Sequence, residues 1–370
     1  MKYNKKIIIC GVFIIISFTL FIIVSSKNTK TFNYNGSIIA LKIDGTNVTS
    51  FPSKGKYNVN IKCENGKGVW NPKTWKLEIT KITGTVTCDI SFNSNASNLS
   101  DAVDSDGTST THGIRYQGKN PDNYVWFNDE LWRIIGNVPV CLTNGCASTE
   151  NRVKLIRNAS IGAITFASTA AWNGSSSTWM GSNIQSLLNT CYLGKVSSCD
   201  SYCYSNGLLN VSSLSVGTCD YSSDGIDTSD YYGNMIEDVY YNVGVPSSGS
   251  YVNADDQYTK EIASYAGTAS KIGLMYASDF GYAIEGFSGV LGESGNPQSY
   301  MNKNWLFSNG SEWTMSALNS SYPIYLRLNG YLFKNRSISG FATRPVLYLK
   351  PNVYVVSGTG TQVDPYRLGI

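Results

Sequence analysis

The single histidine, His112, sets the first limit on the chemistry of this chain. Nucleophilic catalysis of the Ser-His-Asp or Cys-His kind needs a histidine base beside the nucleophile, and His112 stands in a polar stretch away from the strand-like segments. The sequence SGTGTQ at 357–362 lacks the lysine and the spacing of a phosphate-binding loop. We therefore expect neither a triad hydrolase nor a nucleotide cofactor.

Paired carboxylates are the remaining catalytic option, because glycosidases need only two acids a few ångströms apart. Asp279 with Glu285, or Glu130, are the candidates. Spacing in the sequence does not give their separation in space, and acids on a helix surface are usually solvated. We expect no enzymatic activity, and a carboxylate-pair hydrolase or modifying enzyme acting on surface glycans is the alternative.

Residues 220–261 form a polar insertion with nine acidic residues, one lysine and seven tyrosines. Tyrosine mixed with Ser, Gly and Asn is typical of binding surfaces, since it offers rigid contact area and a hydroxyl group. The negative charge favours a basic partner, and the tyrosine pairs would also suit a sugar. The competing interpretation is that residues 220–261 are an insertion without a function. The predicted ligand-binding residues are Tyr231, Tyr232, Tyr240, Tyr241, Asp227 and Asp230.

Eight cysteines follow the N-terminal segment, and an even number in an exported chain predicts disulfides. We expect the pairs Cys63–Cys88 and Cys141–Cys146, with two further bonds of open connectivity among the last four cysteines, Cys191, Cys199, Cys203 and Cys219. A zinc site would need clustered ligands, and one histidine does not supply them, so no metal is predicted.

The N-terminus combines a basic tip at 1–6 with an uncharged apolar run at 7–24. Eighteen helical residues span about 27 Å, close to the thickness of the hydrocarbon layer. With lysines in front, the run predicts a signal anchor, a single-pass cell-membrane location and an extracellular remainder. A cleaved signal peptide is the alternative. A net charge of +3 is too small to predict nucleic-acid binding.

The exported part divides into three stretches by composition. Alternating strands and eight lysines against four acids predict a small basic all-β module at 34–93, either a solvated spacer or a contact to anionic wall polymer or lipid headgroups. Residues 94–112 are rich in Ser, Asn, Asp and Thr and predict a polar linker. From 113 to 370, an early hairpin, two short helices and late antiparallel strands predict an α+β domain.

Several segments of this domain resemble a known group. These are GIRYQGKNPDNYVWFNDELWRIIG at 113–136, KIGLMYASDFGYA at 271–283, FATRPVLYLK at 341–350 and GTGTQVDPYRL at 358–368. They resemble exported proteins of low-GC gut Firmicutes, and the domain is similar to DUF6273 domains and to the formylglycine-generating-enzyme (sulfatase-modifying) variant of the C-type-lectin-like fold. The resemblance implies that lectin-like fold for residues 113–370. The group's copper-binding cysteine pair late in the domain is absent here, since no cysteine follows Cys219, and so are the EPN and QPD motifs of calcium-dependent lectins.

One charged residue stands at the start of an apolar strand, in FATRPVLYLK. Pro345 suits the first residue of a strand, and Arg344 before it must meet a carboxylate or backbone carbonyl groups if it is buried. We interpret Arg344, Pro345 and Trp313 as structural, with ligand binding by Arg344 as the alternative. The expected function is non-catalytic recognition of a glycan or protein at the cell surface, and a wall-associated display scaffold is a further alternative.

Overall fold

A computed structural model describes most of the chain. The described residues are 31–167, 179–201, 203–204, 217–242, 251–262, 268–319, 322–335 and 337–370. They form two compact units with a boundary between Ala96 and Ser97.

The described part of the first unit, residues 31–96, consists of strands and turns. Its strands are β1 (Thr31–Tyr34), β2 (Ser37–Ile43), β3 (Thr46–Val48), β4 (Asn58–Glu64), β5 (Lys67–Asn71), β6 (Lys76–Thr80) and β7 (Thr87–Asn93). Five of them form a sheet in the order β1-β2-β7-β4 with β3 beside β2, and β5 and β6 form a separate hairpin. Trp70 is fully buried against Phe51 and Phe92, which gives this small unit an aromatic core.

The second unit is built on two sheets. Its strands are β8 (Thr108–Thr110), β9 (Gly113–Arg115), β10 (Tyr124–Phe127), β11 (Glu130–Cys141), β12 (Thr149–Arg157), β13 (Ala163–Thr165), β14 (Cys199–Ser201), β15 (Cys203–Tyr204), β16 (Gly217–Cys219), β17 (Val239–Tyr241), β18 (Thr268–Ser270), β19 (Ile272–Gly273), β20 (Glu312–Asn319), β21 (Tyr322–Leu326), β22 (Leu332–Lys334), β23 (Gly340–Ala342), β24 (Val346–Tyr348), β25 (Tyr354–Ser357) and β26 (Tyr366–Gly369). The larger sheet has the central order β19-β24-β12-β11-β10-β26-β25, and the smaller has the order β15-β13-β23-β20-β21-β22.

The β10–β11 hairpin lies inside the larger sheet, between β12 and β26. Its turn is made by Asn128 and Asp129, both with positive φ (53° and 60°), as a tight turn of this kind requires. The long neighbours β11 and β12 are buried on both faces over most of their length, so their polar residues are forced to find partners inside the protein.

Four short α-helices accompany the sheets of the second unit in its described part. They are α1 (Leu99–Asp106), α2 (Asn183–Ser186), α3 (Ala254–Ile262) and α4 (Ala277–Tyr282). Ser182 caps α2, with its hydroxyl accepting a hydrogen bond from the backbone N–H of Gln185, and a π-helical turn at Leu187–Cys191 continues it. Helix α4 begins at Ala277, and the carboxylate of Asp279 accepts a hydrogen bond from the backbone N–H of Tyr276 at its start.

The expectation of an α+β, C-type-lectin-like domain with two helices is wrong as a fold class. The structure is mostly β-sheet, with 41% of the described residues in strands and 16% in helices. Helix α3 was missed because the residues that it buries, Gln257, Tyr258 and Glu261, include two polar side chains and give no apolar stripe.

The structure changes one expectation about the first 112 residues. Part of the predicted linker at 94–112 forms α1, because Leu99 and Val103 stand one turn apart and are both buried. The predicted membrane anchor at 7–24 lies outside the described residues. Within the described ranges, no helix is long and apolar enough to cross a bilayer.

Candidate functional site

The four tyrosines predicted to bind a ligand do not form one open surface. Tyr232 and Tyr241 are 3% and 1% exposed and belong to the core of the second unit. The Tyr231 hydroxyl donates a hydrogen bond to the carbonyl of Leu368 at 2.9 Å, and Tyr240 is half-buried in β17. These tyrosines mainly pack inside the protein, where their hydroxyl groups reach backbone carbonyls. They are therefore not the candidate site.

The two predicted acids of that insertion shape the backbone. Asp227 accepts hydrogen bonds from the backbone N–H and hydroxyl of Ser229, and Asp230 accepts from the backbone N–H groups of Tyr232 and Gly233. These are side-chain turns that a short polar loop commonly uses. The neighbouring residues 243–250 of the insertion lie outside the described part of the chain.

The candidate catalytic carboxylates do not converge on open space. Asp279 is buried and accepts from Arg115 Nη1 at 2.6 Å and from Lys154 Nζ at 2.5 Å. Glu130 pairs with Arg157 at 2.6 Å, whereas Glu285 is exposed. A glycosidase would need two carboxyl groups facing a common substrate, and these three acids do not provide that arrangement.

Asp279 belongs to a buried charged cluster that includes Arg115, Lys154 and Glu261. Burial favours the neutral form of Asp279, but the two cations outweigh it and hold the pKa of its carboxyl group below the usual value. Burial lowers the pKa of Lys154, against the attraction of Asp279. The Lys154 ammonium also faces the rings of Tyr276 and Tyr348, at 4.4 and 5.3 Å from their centroids.

Glu261 occupies the other end of this cluster and is 1% exposed. It accepts hydrogen bonds from the hydroxyl groups of Ser278 and Ser316 and from the side-chain amide of Gln257. Burial nevertheless raises the pKa of its carboxyl group to about 7. The carboxylates of the cluster are all engaged by protein donors, so the cluster organises the core around α3 and α4.

Arg344 is likewise buried, and it holds two segments together. Its Nε donates to Glu312 Oε1 and its Nη2 to the carbonyl of Leu306, each at 2.7 Å. The sequence predicts a carboxylate or backbone carbonyl groups at this guanidinium, and both are present. Pro345 leads into β24, and the indole N–H of the buried Trp313 donates to the carbonyl of Ile164 at 2.8 Å.

The cysteines form the expected disulfide framework in the described residues. Cys63–Cys88 links β4 to β7, and Cys141–Cys146 closes the short loop after β11. Cys191 pairs with Cys199, which settles one of the bonds whose connectivity was open. Cys219 is disulfide-bonded as well, and the side chain of Cys203 lies outside the described residues.

A cavity of about 420 Å³ in the second unit combines the features of a ligand site. Its apolar wall consists of Met301, Trp305 and Phe307, and its cations are Lys119 and Arg133. Four side-chain amides complete the lining, from Asn120, Asn302, Asn304 and Asn309. We call it the Arg133 cavity.

Three separate segments build the Arg133 cavity. The loop after β9 supplies Lys119, β11 supplies Arg133, and the 3₁₀ helix Pro297–Lys303 with the loop after it supplies the remainder. Gly118 (φ +91°) forms a bridge with Asn304, which joins the first segment to the third. The Asn304 amide donates to the carbonyl of Phe280 at 3.2 Å, so this wall is held in place by buried hydrogen bonds.

Arg133 is the buried cation of the cavity, since it is only 6% exposed and still lines open space. Its guanidinium lies between the rings of Tyr124 and Trp305, 4.2 and 4.4 Å from their centroids. Nε donates to Asn123 Oδ1 at 2.8 Å and Nη2 to the carbonyl of Pro121 at 3.3 Å. Within the described ranges, no carboxylate pairs with Arg133 and Nη1 makes no hydrogen bond.

The charge of Arg133 persists at neutral pH. Burial lowers the pKa of its guanidinium, and the neighbouring positive charge of Arg344 acts in the same direction, to a value of about 10. A desolvated cation without a carboxylate partner is costly, and an anion that enters the cavity would relieve this cost. The rigid stacking of Arg133 also means that little side-chain freedom is lost on binding.

A second cavity, of about 290 Å³, lies beside α1 and β12. Its buried cation, Arg152, is already paired with the carboxylates of Glu150 and Glu237 at 3.0 and 3.2 Å, and Asp104 accepts from Asn137 at 2.9 Å, while Lys350 is half-buried. The Arg133 cavity is therefore the better candidate for a ligand.

Arg133 was not among the binding residues predicted from the sequence, although the residues around it indicate a site. Arg133 stands between Trp132 and Ile134 in a strand, the same pattern of a charge in an apolar segment that drew attention to Arg344. Asparagine is also concentrated around Trp305, at 302, 304 and 309. No family model, curated protein or solved structure matches this chain.

Proposed function

We propose that the second unit recognises a carbohydrate in the Arg133 cavity, without catalysing a reaction. The observation that supports this most directly is the combination of an apolar wall with three exposed side-chain amides, those of Asn120, Asn302 and Asn309, in a recess of about 420 Å³. Amides both donate to and accept from sugar hydroxyl groups, and apolar side chains cover the C–H face of a pyranose ring. A flat protein surface would not fill such a recess, so a glycan is the better partner.

The setting of this recognition is outside the cytoplasm. Disulfides in both units support it, since such bonds form and persist in oxidising compartments. The partner in this proposal is therefore a glycan at a cell surface. The assignment as a binder and not an enzyme is supported by the acids of the second unit that were considered for catalysis, which are buried in ion pairs or stand alone at the surface.

The test is a glycan array with the full chain, followed by titration calorimetry with the strongest binders. Asn120 and Asn302 are exposed, so Asn120→Ala/Asn302→Ala should leave the fold intact. Losing two hydrogen bonds of about 1 kcal/mol each should weaken binding roughly thirtyfold. The matched control is Asn151→Ala, which removes an exposed amide from the second cavity and should leave affinity unchanged. An array without a binder, or equal affinities for all three proteins, would contradict the proposal.

A further inference from the structure

The charges on the inner wall of the Arg133 cavity do not balance within the described residues. Arg133 and Arg344 stand close enough to repel each other, and the one acid bonded to either is Glu312, which Arg344 binds at 2.7 Å. Glu312 is 1% exposed and its other oxygen accepts from the Ser308 hydroxyl, so it is fully engaged away from Arg133. A single positive charge is left over, on Arg133.

Other charged groups around the cavity do not cancel it. Lys119 at the rim adds a second, exposed positive charge. Glu285 is exposed and lies close to Gly118, where a Cβ atom would meet its Oε2 at 3.4 Å, and it forms no ion pair with Arg133 among the described contacts. Asp122 is exposed and forms no ion pair with Arg133 among the described contacts. The recess therefore attracts an anion and repels a cation.

The geometry of Arg133 favours a planar anion. Its two ring contacts fix the plane of the guanidinium, and Nη1 together with the second N–H of Nη2 remains available. A carboxylate matches such an edge with two parallel hydrogen bonds. The neutral amides around it suit the hydroxyl groups of the ring that would carry the carboxylate.

We propose that the ligand of the Arg133 cavity is an acidic sugar, a uronic or sialic acid residue, whose carboxylate binds the free edge of Arg133. This inference rests on the proposed function and specifies its ligand class. The same guanidinium could attract a sulfate group on a neutral sugar, and the experiment separates the two sources of negative charge.

The experiment is titration calorimetry of the full chain with oligosaccharides that differ in one group. The set comprises a glucuronic and a galacturonic acid oligosaccharide and a sialylated one, each with its neutral counterpart, its carboxyl methyl ester and a sulfated neutral form. We expect at least tenfold tighter binding of the acid form in one series, with the ester and the sulfated sugar no better than the neutral sugar. Equal affinity for acid and ester, or preference for the sulfated form, would overturn the inference.

Two variants locate the charge that is responsible. Arg133→Lys keeps the positive charge and loses the planar edge, so its preference for the acid over the neutral sugar should fall from at least tenfold to about threefold. Lys119→Gln, at an exposed position, should weaken acid binding only about threefold and reduce its salt dependence. If Arg133→Lys does not fold, the ester measurement on the unchanged protein decides the question.

The outcomes also separate this inference from the function on which it rests. Binding of neutral and acidic sugars alike, lost in Asn120→Ala/Asn302→Ala, would leave carbohydrate recognition standing and refute the acidic ligand. No binding of any sugar in the set would refute both.

Discussion

Replacing Glu261 with glutamine tests the origin of a pH-dependent part of the stability. Burial raises the pKa of this carboxyl group from 4.5 to about 7, so the folded protein binds its proton more tightly than the unfolded chain does. For an acid with a raised pKa in the folded state, the stabilisation is complete below pH 4.5 and is lost as the pH rises towards 7.

The size of the effect follows from the same values. Each unit of pKa difference corresponds to about 1.4 kcal/mol, so Glu261 should lower the free energy of unfolding by ~3 kcal/mol between pH 4.5 and 7. Glu261→Gln cannot ionise and should remove this slope. The glutamine amide leaves one N–H hydrogen without an acceptor, which lowers the free energy of unfolding by the same amount at every pH.

The assay is urea unfolding, followed by tryptophan fluorescence, of both proteins at intervals from pH 4.5 to 8. Burial lowers the pKa of His112, which makes stability rise with pH over part of this range, but the contribution is common to both proteins and cancels in their difference. Glu285→Gln, at an exposed position, is the matched control and should keep the slope of the unchanged protein. Parallel curves for the unchanged protein and Glu261→Gln would refute the reasoning.

Three further changes test the packing. Arg344→Ala leaves Glu312 buried without its cation and should destabilise the second unit by about 3–5 kcal/mol in urea unfolding, whereas Lys303→Ala, at an exposed position, is not expected to exceed ~0.5 kcal/mol. Leu99→Ala should destabilise by about 2–5 kcal/mol if α1 belongs to the core, and a change below ~0.5 kcal/mol would restore the linker interpretation. Cys63→Ala/Cys88→Ala should lower the stability of the first unit by roughly 3 kcal/mol, measured by calorimetry, and an unchanged melting temperature would contradict a structural role.

Features encoded over a few neighbouring residues could be predicted from the sequence. The Asn128-Asp129 turn, the Ser182 cap and the short disulfide loop Cys141–Cys146 depend on residues close in the chain, and the structure contains all three. The two-helix α+β assignment failed at α3, whose buried side holds Gln257 and Glu261. Ser278 and Ser316, which come from other elements, donate hydrogen bonds to Glu261 and so allow its burial. For this reason no pattern within α3 predicts that these polar side chains are buried.

The candidate site depends on contacts over longer distances. Lys119, Arg133 and Trp305 come together only because Gly118 bridges to Asn304 and the Trp305 indole donates to the carbonyl of Tyr116. Composition drew attention to the tyrosines of 220–261, yet composition does not distinguish a tyrosine whose hydroxyl reaches a buried carbonyl from one that faces a ligand. Tyr241 shows the difference, since its hydroxyl lies 3.4 Å from the carbonyl of Val346.

The parallel pairing of β10 with β26 joins Val125 to Tyr366 across most of the second unit. Everything between these residues must be synthesised before the two strands can meet, so the larger sheet cannot close on a growing chain until residue 366 is free. The closure of so long a loop makes this a slow, late step in folding. During that interval β10 presents an open edge, so the protein depends on a folding environment that protects unpaired strands until the last one arrives.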